Sequence, residues 1–330
     1  MVILAGPGLA CHRGLPPEGG VTRLRAAYTS AVDVGDIPSL LAHRSLEQDG
    51  YRVEPTFFAQ PELAVEALAR GDADVANGGV GAFWAADAKG ADLVMVMEHS
   101  ENGYQLAVVS GVAGCDDLTG RTLALASRGS LPTALGEAYL LRCPAAKPRV
   151  IVMPRSGDRL SALRARAVDA AVLQRADVAR LEHEAPGQFR MLASFRDVFP
   201  DLAFEGVFVT RRLLSKHRRL VVDYVRERIR ANRRVLANPD LLYEEGRRWP
   251  AMGTLDAAVV AGEIGAPAWT HDGGMIPDRI AATLDFFVRI GHLPSSLTTG
   301  RLADFSVVKD ALHAAEAEED DLAAVTDEQR

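Results

Sequence analysis

Two groups of residues in this 330-residue chain have the types and spacing to do chemistry. The first is Arg128-Gly129-Ser130, where an apolar run from Thr122 gives way to Ser130-Leu131-Pro132. Serine followed by proline marks the first turn of a helix. The free N–H groups of a first turn, together with the helix dipole, favour an anion. Arg128 would add a charged, bidentate donor. The plain alternative is that Ser130 only caps the helix and Arg128 points to water. The second group is acidic: Asp33 and Asp36 on one loop, Glu98 and Glu101 on another, with His99 between them. These carboxylates repel a bare anion. A molecule with both an acidic end and an amine, or a heteroaromatic amine, suits the two groups together. His99 reads first as a hydrogen-bonding residue.

Nucleophilic and metal chemistry find little support. The three cysteines, Cys11, Cys115 and Cys143, form no C-x-x-C pair and no His/Cys cluster with metal spacing. No metal ligand, cofactor or catalytic residue is assigned. Three unpaired thiols is the favoured reading, and pairing of Cys115 with Cys143 in an oxidising compartment is the alternative. Ser30, His99 and Asp36 are the residue types of a triad, but nothing in their spacing brings them together.

The elements that position these residues follow from periodicity and breakers. Leu24 to Tyr28 reads as a strand, Thr29 to Ile37 as a loop, and Pro38 to Gly50 as a helix capped by Asp36. A strand over Tyr51 to Phe58 and a helix through Leu63 and Leu68, stopped at Gly71, come next. Asp74 to Gly79 is a strand running into glycines, Val80 to Ala88 a helix, and Asp92 to Met97 a buried strand. The rhythm restarts after residue 110, with strands at Thr122, Val150, Val168 and Phe189 and helices at Ser130 and Asp158. Glu205 to Thr210 is a returning strand, and long helices follow from Lys216, Pro239, Leu255 and Pro277. Alternating strands and helices predict mixed sheets covered on both faces.

Bulk composition narrows the function classes. A length of 330 residues suits two domains. Lys and Arg number 37 against 44 Asp and Glu, a net charge of −7, which argues against a nucleic-acid binder. The segment from Arg211 to Arg234 holds ten Lys or Arg and two acids. Val221, Val225 and Ile229 keep a helical spacing within it, so its arginines read as a solvated face. The stretch from Glu316 holds seven acids and reads as a disordered tail, residues 313–330. At the start, Met1 to Ala10 is apolar but short, and Gly14 to Gly20 is a linker by composition. Either the start is truncated before a signal peptide or export does not use that route.

Several segments, in order, resemble the periplasmic solute-binding proteins of the sulfonate, nitrate, taurine and thiamine-precursor family. They are Leu24 to Tyr28 with the following loop and helix, and Ala67-Leu68-Ala69-Arg70-Gly71-Asp72-Ala73-Asp74-Val75-Ala76. Next come Lys89 to Val96, Asp117-Leu118-Thr119-Gly120-Arg121-Thr122-Leu123-Ala124, and Leu163 to Leu173. The last is Thr283 to Leu293. Together they span roughly residues 23 to 312. The resemblance implies an α/β, two-lobed type II periplasmic-binding-protein (venus-flytrap) fold with mixed sheets flanked by helices. Residues 1–22 would be a leader, 23–108 and 207–312 one lobe, and 109–206 the other. It implies a monomeric bacterial solute-binding component of an ABC importer, working with a permease and an ATPase outside the cytoplasm. The weak signal peptide leaves a cytoplasmic sensor open, and an enzyme on the same fold remains the other rival.

Ligands of open α/β sheets bind at the carboxyl ends of strands, and in a two-lobed protein these ends face one another. The expected ligand contacts are therefore Thr29, Ser30, Asp33 and Asp36 after the first strand, then Asn77, Gly78 and Gly79 after the third, and His99. The second lobe would contribute Arg128, Gly129, Ser130 and Gln174. Hinges are expected near Val108 to Gly111 and Ala203 to Val207. The solute is expected to be a small anionic or zwitterionic organic molecule such as a sulfonate, a carboxylate or a pyrimidine.

Overall fold

The structure is a computed structural model that describes residues 23–58, 60–252, 257–264 and 269–327. The apolar start, Cys11, the Gly14 to Gly20 linker and Leu255 lie outside the described residues. Strand β1 (Arg23–Tyr28), helix α1 (Ile37–Gln48), β2 (Arg52–Phe57), α2 (Pro61–Arg70), β3 (Val75–Gly79), α3 (Val80–Ala88) and β4 (Leu93–Ser100) alternate as the periodicity predicts. Gly71 takes φ +79 and ends α2. The Asp74 carboxylate then accepts from the Arg25 backbone N–H at 2.8 Å and from its guanidinium at 2.8 and 3.0 Å. That contact stitches the start of β3 to β1, so Asp74 is structural.

The chain continues through β5 (Tyr104–Val109), β6 (Thr122–Leu125), α4 (Leu131–Leu141), β7 (Arg149–Val152) and α5 (Ser156–Arg164). Next come β8 (Ala170–Gln174), α6 (Arg175–Glu184), β9 (Phe189–Ser194) and α7 (Phe195–Val198). It closes with β10 (Glu205–Thr210), α8 (Arg211–Lys216), α9 (Arg218–Ala237), α10 (Asp240–Gly246), α11 (Ala257–Ile264), α12 (Pro277–Arg289), α13 (Thr299–Leu302) and α14 (Phe305–Asp327). Among the described residues, no helix is long and apolar enough to cross a membrane.

Two five-stranded mixed sheets result, in the orders β2-β1-β3-β10-β4 and β7-β6-β8-β5-β9. In each, one antiparallel strand is inserted among parallel ones: β10 between β3 and β4, and β5 between β8 and β9. The first crossing between sheets therefore falls at residues 101–103, not at the expected Val108 to Gly111. Tyr104 to Val108 pair with β8, and Val109 pairs with β9, so all of β5 belongs to the second sheet. The second crossing, residues 199–204, overlaps the expected Ala203 to Val207 at residues 203 and 204, the rest of that stretch being in β10. Near the crossings the two halves share aromatic contacts, Tyr104 with Phe204 and Phe199 with Phe286, with ring centroids 5.0 and 5.5 Å apart.

Three other expectations are corrected. Cys115 and Cys143 form a disulfide, with Cα atoms 6.1 Å apart, inside the usual span. The acidic tail is helical to Asp327, because Val307, Val308, Ala311 and Ala315 recur at helical spacing and are buried. A count of acids beginning at Glu316 leaves out that anchoring turn. In α9, Val221, Val225 and Ile229 are fully buried as expected, but Arg228 is buried with them. It is not part of the solvated arginine face.

Candidate functional site

The carboxyl ends of the parallel strands and the amino ends of the two antiparallel strands meet in one cleft. One part of it is a niche of about 50 Å³ lined by Thr29, Ser30, Asp33, Asp36, Asn77, Gly78, His99 and Gln174. Ser100, Glu101, Phe204, Glu205, Glu263 and Trp269 also line it, as do Tyr28, Gly35, Gly103 and Arg175. A wider chamber of about 450 Å³ continues from it, sharing Thr29, Ser30, Asp33, Gln174 and Glu205, and reaches Gly79 and Ser130. Ten of the twelve residues expected from the sequence thus line the cleft. Arg128 and Gly129 do not. The turn holding them points Arg128 into solvent, while the Gly129 carbonyl packs against Gly81 of α3. Ser130 does not cap α4: its hydroxyl donates to the Ser127 carbonyl at 2.7 Å.

Local geometry explains how the first loop is held. Asp33 Oδ1 accepts from Gly35 N at 2.8 Å, and Asp36 Oδ2 accepts from Asp33 N at 3.0 Å, a reciprocal capping box. Each carboxylate thus spends one oxygen on the loop. The Thr29 N–H donates to the Asn77 carbonyl at 3.2 Å and ties this loop to the end of β3. At Gly78 a side chain would overlap Thr29, so the close approach of the two loops requires glycine. Trp269 walls the niche and donates to the Gly35 carbonyl at 3.0 Å.

The niche is acidic. Among the described residues, no Lys or Arg lies within 4 Å of the Asp33, Asp36 or Glu205 carboxylates. Burial, then the neighbouring Asp36, pushes Asp33 well above the carboxylate range, and burial also raises Asp36. Burial and then Asp33 lift Glu205 to about 8. By contrast, Glu263 is paired with Arg175 at 3.3 Å and Glu101 with Arg196 at 2.8 Å. Glu98, expected in a ligand loop, is a buried β4 residue that accepts from Phe204 N at 3.0 Å and pairs with Arg279 at 3.4 Å.

Behind the niche sits a buried polar layer that the sequence did not reveal. Arg228 is fully buried and donates from Nη1 to Asn77 Oδ1 at 2.6 Å. Among the described residues, its Nε and Nη2 have no hydrogen-bond partner. His99 is 4% exposed, and neither of its ring nitrogens has a hydrogen-bond partner among the described residues. Burial, then Arg228, holds its pKa well below the ordinary value, so the imidazole is neutral. Its Nε2 lies 4.0 Å from Glu205 Oε2. Ser30, His99 and Asp36 share the niche, but His99 bonds neither of the other two, so no triad relay exists. Among the described residues, no group of three or more His, Cys, Asp or Glu could hold a metal ion.

Glu205 and Tyr104 escaped the sequence reading because an antiparallel strand brings its amino end to the cleft. The rule of carboxyl ends passes over such residues. Helix α11 was read only as one of the long helices after Thr210, yet Glu263 and Val259 on it line the cleft. Their place follows from packing between α1, α6 and α9, where Val259, Val260, Ala176, Val235 and Trp269 form one apolar cluster.

Comparison with known proteins places this architecture. A ligand-binding component of an ABC-type import system from Staphylococcus aureus, with zinc bound, is similar in structure at TM-score 0.72 and 16% identity. The match covers 88% of this chain and 99% of that one. The alkanesulfonate-binding protein from Xanthomonas axonopodis pv. citri, bound to MOPS, matches at TM-score 0.69 and 20% identity, covering 86% and 98%. The periplasmic nitrate-binding protein from Synechocystis PCC 6803 matches at TM-score 0.72 and 12% identity, covering 93% and 91%. At these identities the likeness is one of fold. No curated protein matches. The family described as ABC transporter, phosphonate, periplasmic substrate-binding protein matches residues 40–224, more than half of the chain. The chain belongs to this family of substrate-binding proteins of ABC importers.

Proposed function

We propose that the solute captured by this chain presents a protonated amine to the niche of Asp33, Asp36 and Glu205. The observation that carries this is three half-buried carboxylates around one small space, none of which has a Lys or Arg within 4 Å among the described residues, while Arg175 on the same wall is paired with Glu263. Partly buried charges are normally paired, and Arg228 behind the wall offsets only part of the negative charge. Neutral His99 adds an acceptor facing the same space. A niche of about 50 Å³ admits an ammonium or a few water-sized groups, not a whole solute.

In this proposal the protein binds and releases its solute without chemical change, the two sheet-centred halves closing by bending at residues 101–103 and 199–204. An extracytoplasmic site of action accords with the family and with the Cys115–Cys143 disulfide. The protein acts as a monomer that hands its solute to a membrane permease and ATPase. Titration calorimetry with short n-alkylamines and the matching alcohols tests the niche. Amines are expected to bind and alcohols not to; equal binding of both, or binding of neither, would remove the proposal.

A further inference from the structure

Beyond the niche, the 450 Å³ chamber carries a second charged feature. Arg159 lines it, yet is only 2% exposed. Its Nε donates to the Val172 carbonyl at 2.8 Å, and its Nη1 donates to the Met153 and Pro154 carbonyls at 2.8 and 2.9 Å. Three backbone carbonyls therefore fix the guanidinium plane and leave Nη2 over. Among the described residues, no carboxylate lies within ion-pair distance of Arg159. The nearby acids are engaged elsewhere: Asp158 with Arg155 at 2.7 Å, and Asp177 as acceptor from the Ser156 hydroxyl at 3.1 Å. Asp177 and Asp158 therefore act on Arg159 only from beyond 4 Å, and a buried guanidinium without a direct ion pair gains from an anion that arrives from outside.

The backbone around it favours an anion too. The first turns of α4, α5 and α6 all reach this chamber, through Leu131 and Pro132, Ser156 to Asp158, and Ala176 and Asp177. None of the three helices is capped by a side chain. Their N–H groups and dipoles add positive potential where Arg159 faces the space.

We propose that Arg159 is the anchor for an acidic group at the far end of the solute, which makes the preferred solute an elongated zwitterion. The amine would sit among Asp33, Asp36 and Glu205, the chain would run past Gln174 and Tyr104, and the acid would take Arg159 Nη2. This inference rests on the niche proposal above, and it replaces Arg128 as the cation expected to meet an anion.

The test compares short ω-aminoalkylphosphonates and ω-aminoalkylcarboxylates with n-alkylamines of the same length, by calorimetry on the full chain. Wild type is expected to prefer the zwitterion over the amine by at least tenfold, the scale of one charge-assisted hydrogen bond. In Arg159→Met, and in the more conservative Arg159→Lys should Met impair folding, that preference is expected to fall toward one. Because the readout is a ratio, a general loss of folded protein does not imitate it. If wild type shows no preference, or if neither Arg159 variant changes the ratio, the inference fails while amine binding still supports the niche. If amines and zwitterions both fail to bind, the niche proposal falls and the inference with it.

Discussion

Replacing Glu205 with glutamine removes one charge from the niche at almost constant volume. The size of the effect can be worked from its surroundings. An ammonium about 4 Å from a carboxylate gains about 4 kcal/mol at an effective dielectric constant of about 20. Glu205 is held at about 8 by burial and then by Asp33. Forming the ion pair at pH 7 therefore first removes a proton, at a cost of about 1.4 kcal/mol per unit of pH below that value. About 2 to 3 kcal/mol remains, so Glu205→Gln should weaken binding of a short alkylamine by roughly 30- to 140-fold at pH 7. Calorimetry in buffers of different ionisation enthalpy reads both halves of the argument. Wild type should release close to one proton on binding at pH 7, and the variant distinctly less. The variant's unfolding midpoint at pH 8 should equal or exceed that of wild type, because an uncompensated carboxylate has been removed. Unchanged affinity together with unchanged proton release would refute the reasoning, and so would an affinity loss matched by lost stability.

Further outcomes can be checked separately. Without solute, stability should fall as pH rises from about 5 to 8. In this window folded Glu205 keeps a proton that the unfolded chain, titrating near 4.5, has lost; urea unfolding across that range measures it, and Glu205→Gln should flatten the slope. Breaking the Cys115–Cys143 bond, by reduction or by Cys143→Ser, opens a loop of 28 residues' separation. It should cost about 3 kcal/mol in denaturant unfolding. Arg279→Ala strips the buried Glu98 carboxylate of its cation and should lower stability by about 1.4 kcal/mol at pH 9, the cost of returning a proton to a group at about 8, and by less at pH 6, where Glu98 is protonated in any case. Asp87 accepts from Leu93 N and pairs with Arg211 and Arg301 while fully buried. Asp87→Ala should therefore lower the melting temperature by several degrees.

Much of the architecture was already written into local pattern. The alternation of strands and helices, the αL stop at Gly71 and the glycines closing β3 depend on neighbours in sequence, and the fold bears them out. The loops after β1 and β3 were legible as cleft linings for the same reason: a strand's end is visible in the chain. What the chain did not disclose depends on partners far away in sequence. The pairing of β5 with β8 moved the crossing to residues 101–103, and the antiparallel insertion of β10 carried Glu205 into the niche. Arg228 looked like one more arginine on a basic helix until α9 packed against the first sheet, and Arg159 looked like an ordinary helix arginine until three carbonyls enclosed it. Arg128 erred the other way, since adjacency to a helix start does not decide which way a side chain leaves a turn. Periodicity encodes which face of an element avoids water, a local property. Whether a charge ends up with or without a counter-ion is set by what the other elements bring to within a few ångströms, and only the assembled chain decides that.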